Sequence, residues 1–173
     1  MNTSKNTSHN VALAAMLAAL ALIFSYVEAI LPLSVGIPGV KLGIANLVVI
    51  IALYTLGFRY AMTVNIIRIL VAGLLFNGAF GAMYSLAGGI LSLTVMFLLK
   101  KTGLFSTVGI SMAGGVVHNL GQLIVAALIV STMKLFYYFP VLLFSGMISG
   151  VLIGILAHLI LKKLPGNLAV KPL

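Results

Sequence analysis

Residues 108–130, VGISMAGGVVHNLGQLIVAALIV, contain no Asp, Glu, Lys or Arg, yet carry His118, Asn119 and Gln122 near their middle. The apolar part decides the fold. A hydrocarbon core of about 30 Å takes about 20 helical residues to cross, and this stretch is long enough. The polar part bears on function. On a helix His118 and Gln122 are four apart and Asn119 and Gln122 three apart, so all three share one face. Gly114 and Gly115 continue that stripe one turn inward, where missing side chains let a neighbouring helix come close.

The chain around this stretch has the same character. Of its 173 residues 62% are hydrophobic and only 6% charged, which no soluble domain of this size matches. Six segments suit membrane helices, near 11–31, 42–57, 60–76, 82–99, 108–130 and 139–161; the second and third are short. The first is not a cleaved signal peptide. Its apolar run is long, lacks a convincing small-residue cleavage site and has almost no basic n-region. Pro32 and Pro38 bracket the first loop, FNGAFG at 76–81 separates the third and fourth segments, and Pro140 opens the sixth. The expected architecture is all-α, a polytopic bundle of six transmembrane helices over 11–161. A disordered tail, MNTSKNTSHN at 1–10, precedes it, and a tail at 162–173 follows.

Orientation follows from the basic residues. With both termini inside, the cytoplasmic side holds Lys5, Arg59, Lys100, Lys101, Lys162, Lys163 and Lys171, against Lys41 and Lys134 outside. The positive-inside rule favours that choice. The formal charge of +9 is then explained by topology and anionic lipid, without nucleic acid as a partner. The absence of cysteine excludes thiolate catalysis, disulfides and Cys-ligated clusters.

Polar residues inside the spans are the candidates for function. Arg68 falls near the middle of the third segment, where a charge costs roughly 2.5 to 3.5 kcal/mol on insertion scales. It must face the bundle interior or a wet cavity, with Asn65 on the same face. His118, Asn119 and Gln122 reach a similar depth. Asn46 and Lys41 sit in the outer half of the second segment. Together, Arg68, His118, Asn119, Gln122, Asn46 and Lys41 are the expected lining of a pocket open to the outside. The competing reading is structural, since interhelical Asn, Gln and His bonds contribute only about 0.6 kcal/mol each without any ligand. Glu28, the single acidic residue of the chain, lies near the outer end of the first segment. Its estimated depth differs from that of Arg68 by more than a helical turn, which makes Lys41 its expected partner. His9 and His158 read as solvated or structural, and Tyr84, Tyr137 and Tyr138 as packing or interfacial residues.

Several chemistries are excluded. There is no G-x-x-x-x-G-K-[ST] phosphate loop and no G-x-G-x-x-G turn, so ATP and dinucleotides have no recognisable seat. One carboxylate in the whole chain cannot build a magnesium–diphosphate site or a carboxylate pair for acid–base work. No catalytic residue, metal site or cofactor is expected. Binding and translocation survive; most enzymology does not.

GIPGVKLGIANLVVIIAL at 36–53, NIIRILVAGLLF at 65–76, YSLAGGILSL at 84–93 and GGVVHNLGQ at 114–122 resemble the bacterial Gx transporter family, also labelled heptaprenyl diphosphate synthase component I. The likeness runs from about 11 to 161, and H-N-x-x-Q is its most specific part. The family in turn resembles the substrate-binding S components of energy-coupling factor (ECF) transporters, six-helix proteins of the bacterial cell membrane that capture vitamins from outside. The resemblance implies three partners besides the bilayer: a small-molecule substrate, a coupling transmembrane subunit and ATPases. It also implies a docking role for ALAAMLAAL in the first segment, where Ala14 and Ala18, and Ala15 and Ala19, have four-residue spacing. Small residues so spaced let helices pack closely, and they also abound in ordinary membrane helices.

The enzyme label fits the residues poorly. Long-chain prenyl synthases hold magnesium and diphosphate with aspartate-rich motifs, and this chain has no aspartate. It could serve at most as a noncatalytic membrane subunit of such a synthase. A scaffold for flavin or quinone redox partners is a further alternative. Arg68, Lys41 and His118 suit an anionic or zwitterionic group, and the apolar helices suit an aromatic or isoprenoid body. Flavins, other vitamins and quinone precursors all meet that description.

Overall fold

The computed structural model of the protein describes residues 3–31 and 43–164, which are almost entirely helical and contain no strand. The α-helices are α1 (Thr3–Ile30), α2 (Ile44–Thr55), α3 (Phe58–Ala72), α4 (Gly78–Thr102), α5 (Thr107–Val130) and α6 (Phe139–Lys163). A π-helical turn, Gly73–Asn77, joins α3 to α4, and a 3-10 turn, Met133–Tyr138, precedes α6. Lys41 lies outside the described residues, as do Pro32, Pro38 and Lys171.

Four helical stretches are long and apolar enough to cross a membrane: Thr7–Ile30, Phe58–Thr102, Thr107–Val130 and Met133–Lys163. The 12-residue Ile44–Thr55 is apolar but shorter. The stretch 58–102, expected as two segments, is contiguous in its helical hydrogen bonding, and as a straight rod its 45 residues would extend roughly 68 Å. It does not run straight. Gly78 has φ 71° and ψ 170°, backbone that only glycine adopts readily, and there the chain reverses. A Cβ added at Gly73 would lie 2.5 Å from Ala82 Cβ, and one at Gly89 would lie 2.9 Å from Ile69 Cδ1. α3 and α4 are therefore an antiparallel hairpin.

The first helix departs from expectation at its start. α1 begins at Thr3, so most of the segment expected as a disordered tail is helical. Ser, Thr and Asn are weak helix formers, but extending an existing helix needs no new nucleus and costs only propensity.

Glycine sets the packing of α5. Facing it, α6 carries Gly146, Gly150 and Gly154 at four-residue spacing, and their added Cβ atoms would meet Gly115 O at 2.8 Å, Met112 Cα at 2.7 Å and Val108 Cα at 2.7 Å. On the other side, a Cβ at Gly121 would lie 2.9 Å from Gly88 Cα of α4. α5 is thus gripped at backbone distance from both flanks. Without a hydrophobic force between helices in lipid, such close approach supplies the dispersion contact that holds them. The G-x-x-x-G-x-x-x-G signal in α6 was legible in the sequence and absent from the reading above.

Apolar side chains fill the core and also cover the outside. Large apolar side chains such as Met16, Leu74, Leu128 and Ile148 are exposed, while Asn65, Arg68, Ser92 and Ser111 are buried. A lipid surroundings accounts for both. The basic residues Arg59, Lys100, Lys101, Lys162 and Lys163 cluster where α3 begins and α4 and α6 end. There Lys100 Nζ donates to Leu53 O at 3.2 Å and sits 4.7 Å from the centre of the Tyr54 ring, closing the end of α2.

Candidate functional site

Toward the opposite end, where α1 stops and α2 starts, the helices enclose a cavity of about 70 Å³. Every helix contributes to it: Ser25 and Glu28 from α1, Asn46 from α2, Arg68 from α3, Ser85 from α4, His118, Asn119 and Gln122 from α5, and Ser149 from α6. The sequence expectation for Arg68, His118, Asn119, Gln122 and Asn46 as neighbours around one space is the arrangement observed.

Arg68 is the centre of this wall. Its side chain is 9% exposed. Nε donates to Asn65 Oδ1 at 3.1 Å, and Nη2 donates to Asn65 Oδ1 at 2.9 Å and to Asn46 Oδ1 at 2.8 Å. Asn65 is one turn earlier on the same helix, and Asn46 reaches across from the first turn of α2. Both of these partners are neutral amides, so they orient the guanidinium without supplying a counter-charge. The Nη1 edge carries none of these bonds. Asn65 Nδ2 is buried with no hydrogen-bond partner, and it points at Gly89, where an added Cβ would lie 2.7 Å away. Gly89 is what gives this amide room.

The α5 residues divide their roles. Asn119 Nδ2 donates to Leu142 O at 2.7 Å, which ties α5 to α6 and leaves the amide oxygen as an acceptor. Gln122 lays its stem against Gly88, whose added Cβ would lie 2.9 Å from Gln122 Cγ. His118 faces the same glycine, with its Cε1 3.2 Å from that position. The bland reading of Asn119 as interhelical glue is therefore correct for its NH₂ group, while its place on the cavity wall also stands.

The expected partner of Glu28, Lys41, lies outside the described residues. Glu28 Oε1 accepts from Ile44 N–H at 2.8 Å, holding the carboxylate over the start of α2. That position is on the cavity, close enough to Arg68 for electrostatic attraction. Both residues line the one cavity, Glu28 from the last turn of α1 and Arg68 from α3. Ser25, Asn77, Ser85 and Ser149 also line the cavity and were not singled out from sequence. Ser25 lies three residues before Glu28 and Ser149 three after Gly146, helical spacings that put each on a face already marked as internal.

Among the expected docking alanines, the structure separates two pairs. Ala14 is buried and Ala18 half-buried against Val48, Leu56 and Val64 of the neighbouring helices. Ala15 and Ala19 point outward and are exposed. Among the described residues no group of three or more His, Cys, Asp or Glu is placed to hold a metal ion.

A family model described as heptaprenyl diphosphate synthase component I matches residues 17–160 of the chain, from the middle of α1 to the end of α6. The protein belongs to that family. The match takes in every cavity residue named above. No curated protein and no solved structure matches the chain. For the family member at hand, the name refers to a component of a synthase, and the site itself is a polar chamber inside a helical membrane protein.

Proposed function

We infer that the protein is the substrate-binding membrane component of an ECF-type transporter, taking up a vitamin- or cofactor-like small molecule, with partner ATPases supplying the energy. The observation that carries this reading is the polar cavity to which every helix contributes, with a buried guanidinium on its wall that is hydrogen-bonded to neutral amides. Burying a charge in a bundle is costly unless something uses it. Six crossings with both termini cytoplasmic put the basic cluster of Arg59, Lys100, Lys101, Lys162 and Lys163 inside, as the positive-inside rule requires, and the cavity in the outward half. Ala15 and Ala19, exposed in the inward half of α1, are then free to meet a coupling subunit. The chain has no phosphate loop, so energy must come from elsewhere.

A second reading follows from the family's description: a membrane subunit that presents lipid substrate to a separate prenyl diphosphate synthase. One carboxylate cannot assemble the magnesium–diphosphate site, so the chain would be noncatalytic there. The cavity, with room for roughly five to seven waters, would hold a head group and leave the isoprenoid in lipid.

Gentle solubilisation and affinity capture of the full chain separates the two. The transport reading expects ECF ATPases and a coupling subunit to co-elute, along with a bound small molecule that Arg68→Gln loses. Recovery of a prenyl synthase catalytic subunit with no ATPase would instead establish the second reading.

A further inference from the structure

We propose that the cavity selects a compact zwitterion of amino-acid size, whose carboxylate meets Arg68 and whose cationic nitrogen meets Glu28. This rests on the reading of the cavity as a binding site and adds the charge pattern of what it binds.

Arg68 and Glu28 are the residues of opposite formal charge on the described wall, and Glu28 is the single acid in 173 residues. It sits in the last turn of α1, over the start of α2. The two charges attract one another, and each is oriented by hydrogen bonds to neutral groups. Arg68 is held through Nε and Nη2 by Asn65 and Asn46, and Glu28 through Oε1 by the Ile44 amide. The two are thus anchored to separate helices, α3 and α1, as a fixed pair of opposite poles facing one space.

The donors and acceptors that remain match the same ligand. Nη1 of Arg68 keeps its N–H groups, which can donate a charge-assisted hydrogen bond to a carboxylate oxygen. An ammonium group also needs acceptors, and on the same cavity wall Asn119 retains its Oδ1 because its NH₂ donates to Leu142 O. Asn65 Oδ1 already accepts two bonds from Arg68.

Charge balance excludes the alternatives. A zwitterion leaves the filled cavity neutral, whereas a bare anion leaves Glu28 facing added negative charge in a medium of low dielectric. A polyanion such as diphosphate meets one guanidinium and is repelled by the carboxylate. Size points the same way: about 70 Å³ accommodates roughly five to seven water-sized groups, enough for an amino-acid moiety.

The test is thermal stabilisation of the full-length protein in detergent, titrated separately with L-alanine, N-acetyl-L-alanine, L-alaninamide and inorganic diphosphate. L-Alanine is expected to reach half-maximal stabilisation at a concentration roughly ten- to a hundredfold lower than either derivative, the loss expected for one hydrogen bond to a charged group. Glu28→Gln keeps the oxygen that accepts from Ile44, so it should fold, and it should bind L-alanine no better than N-acetyl-L-alanine. Arg68→Gln should lose the preference over L-alaninamide. If N-acetyl-L-alanine or diphosphate stabilises the wild type as well as L-alanine does, and Arg68→Gln abolishes that effect, the zwitterion is wrong while the binding cavity stands. If none of the four stabilises the wild type, the zwitterion is wrong, and the binding cavity stands or falls with the bound small molecule sought in the capture experiment.

Discussion

Asn65 Oδ1 accepts from both Nε and Nη2 of Arg68, at 3.1 and 2.9 Å, so a neutral amide one turn back on α3 holds the buried guanidinium. A carboxylate there would have cancelled the charge. The amide fixes the orientation and leaves the charge for whatever enters the cavity, which is the arrangement a binding site requires and a merely structural arginine does not.

Asn65→Ala removes both of these bonds. Hydrogen bonds to a charged group contribute about 1.5 to 3 kcal/mol, and removing the unpartnered Nδ2 offsets part of that, so the loss of stability should fall near the lower figure. Thermal unfolding of the purified variant reads it. Ligand affinity should fall together with stability, because Arg68 is then held by Asn46 alone. A variant as stable as the wild type would show that Arg68 is positioned by something else.

Gly146→Ala forces a methyl group to within 2.8 Å of Gly115 O in the seam between α5 and α6. The two nearest atoms are backbone and cannot swing aside, so the helices must part, at a cost of about 1 to 3 kcal/mol. Parting them also lengthens the bond from Asn119 to Leu142 O, four residues away on each helix. Unfolding in detergent should show lower stability, and an unchanged transition would mean the seam is looser than drawn.

The alanines of α1 should respond as two pairs. Ala14→Leu adds bulk where Val48 and Val64 already pack, and should destabilise the isolated protein by about 1 to 3 kcal/mol. Ala15→Leu with Ala19→Leu places leucine against lipid and should change stability by no more than about 0.5 kcal/mol. The second pair should nonetheless weaken capture of the coupling subunit in a pull-down. Undiminished capture would assign that face to lipid.

Topology can be read with single cysteines, since the native chain has none. Thr102 and Ser131 are both exposed, at the ends of α4 and α5 respectively. An impermeant thiol reagent added to intact cells should modify a cysteine at Ser131 and spare one at Thr102. The reverse pattern would turn the protein over in the membrane.

How much of this was legible in the chain follows from the range of each interaction. Helix content, the membrane as solvent and the shared face of His118, Asn119 and Gln122 depend on residues within a few positions of one another, and local periodicity carries them. Arg68 declared itself by its cost, because an ionised side chain in an apolar run has to face an interior. The reach of Asn46 to Arg68 spans 22 residues and that of Glu28 to Ile44 spans 16, and both depend on how far one helix is slid along another. Among α1, α2 and α3 that offset goes with the packing of Ala14, Ala21, Val48 and Val64, and among α4, α5 and α6 with glycine contacts at backbone distance such as Gly146 on Gly115 and Gly121 on Gly88, where no side chain advertises the partner. In this packing Glu28 lies on the cavity and Ala14 is buried while Ala15 stays exposed. The sequence alone determined which residues had to be hidden from lipid, since that is a matter of transfer free energy residue by residue. Only the tertiary structure decided which of them face one another, because helix register is fixed by close packing between segments far apart in the chain.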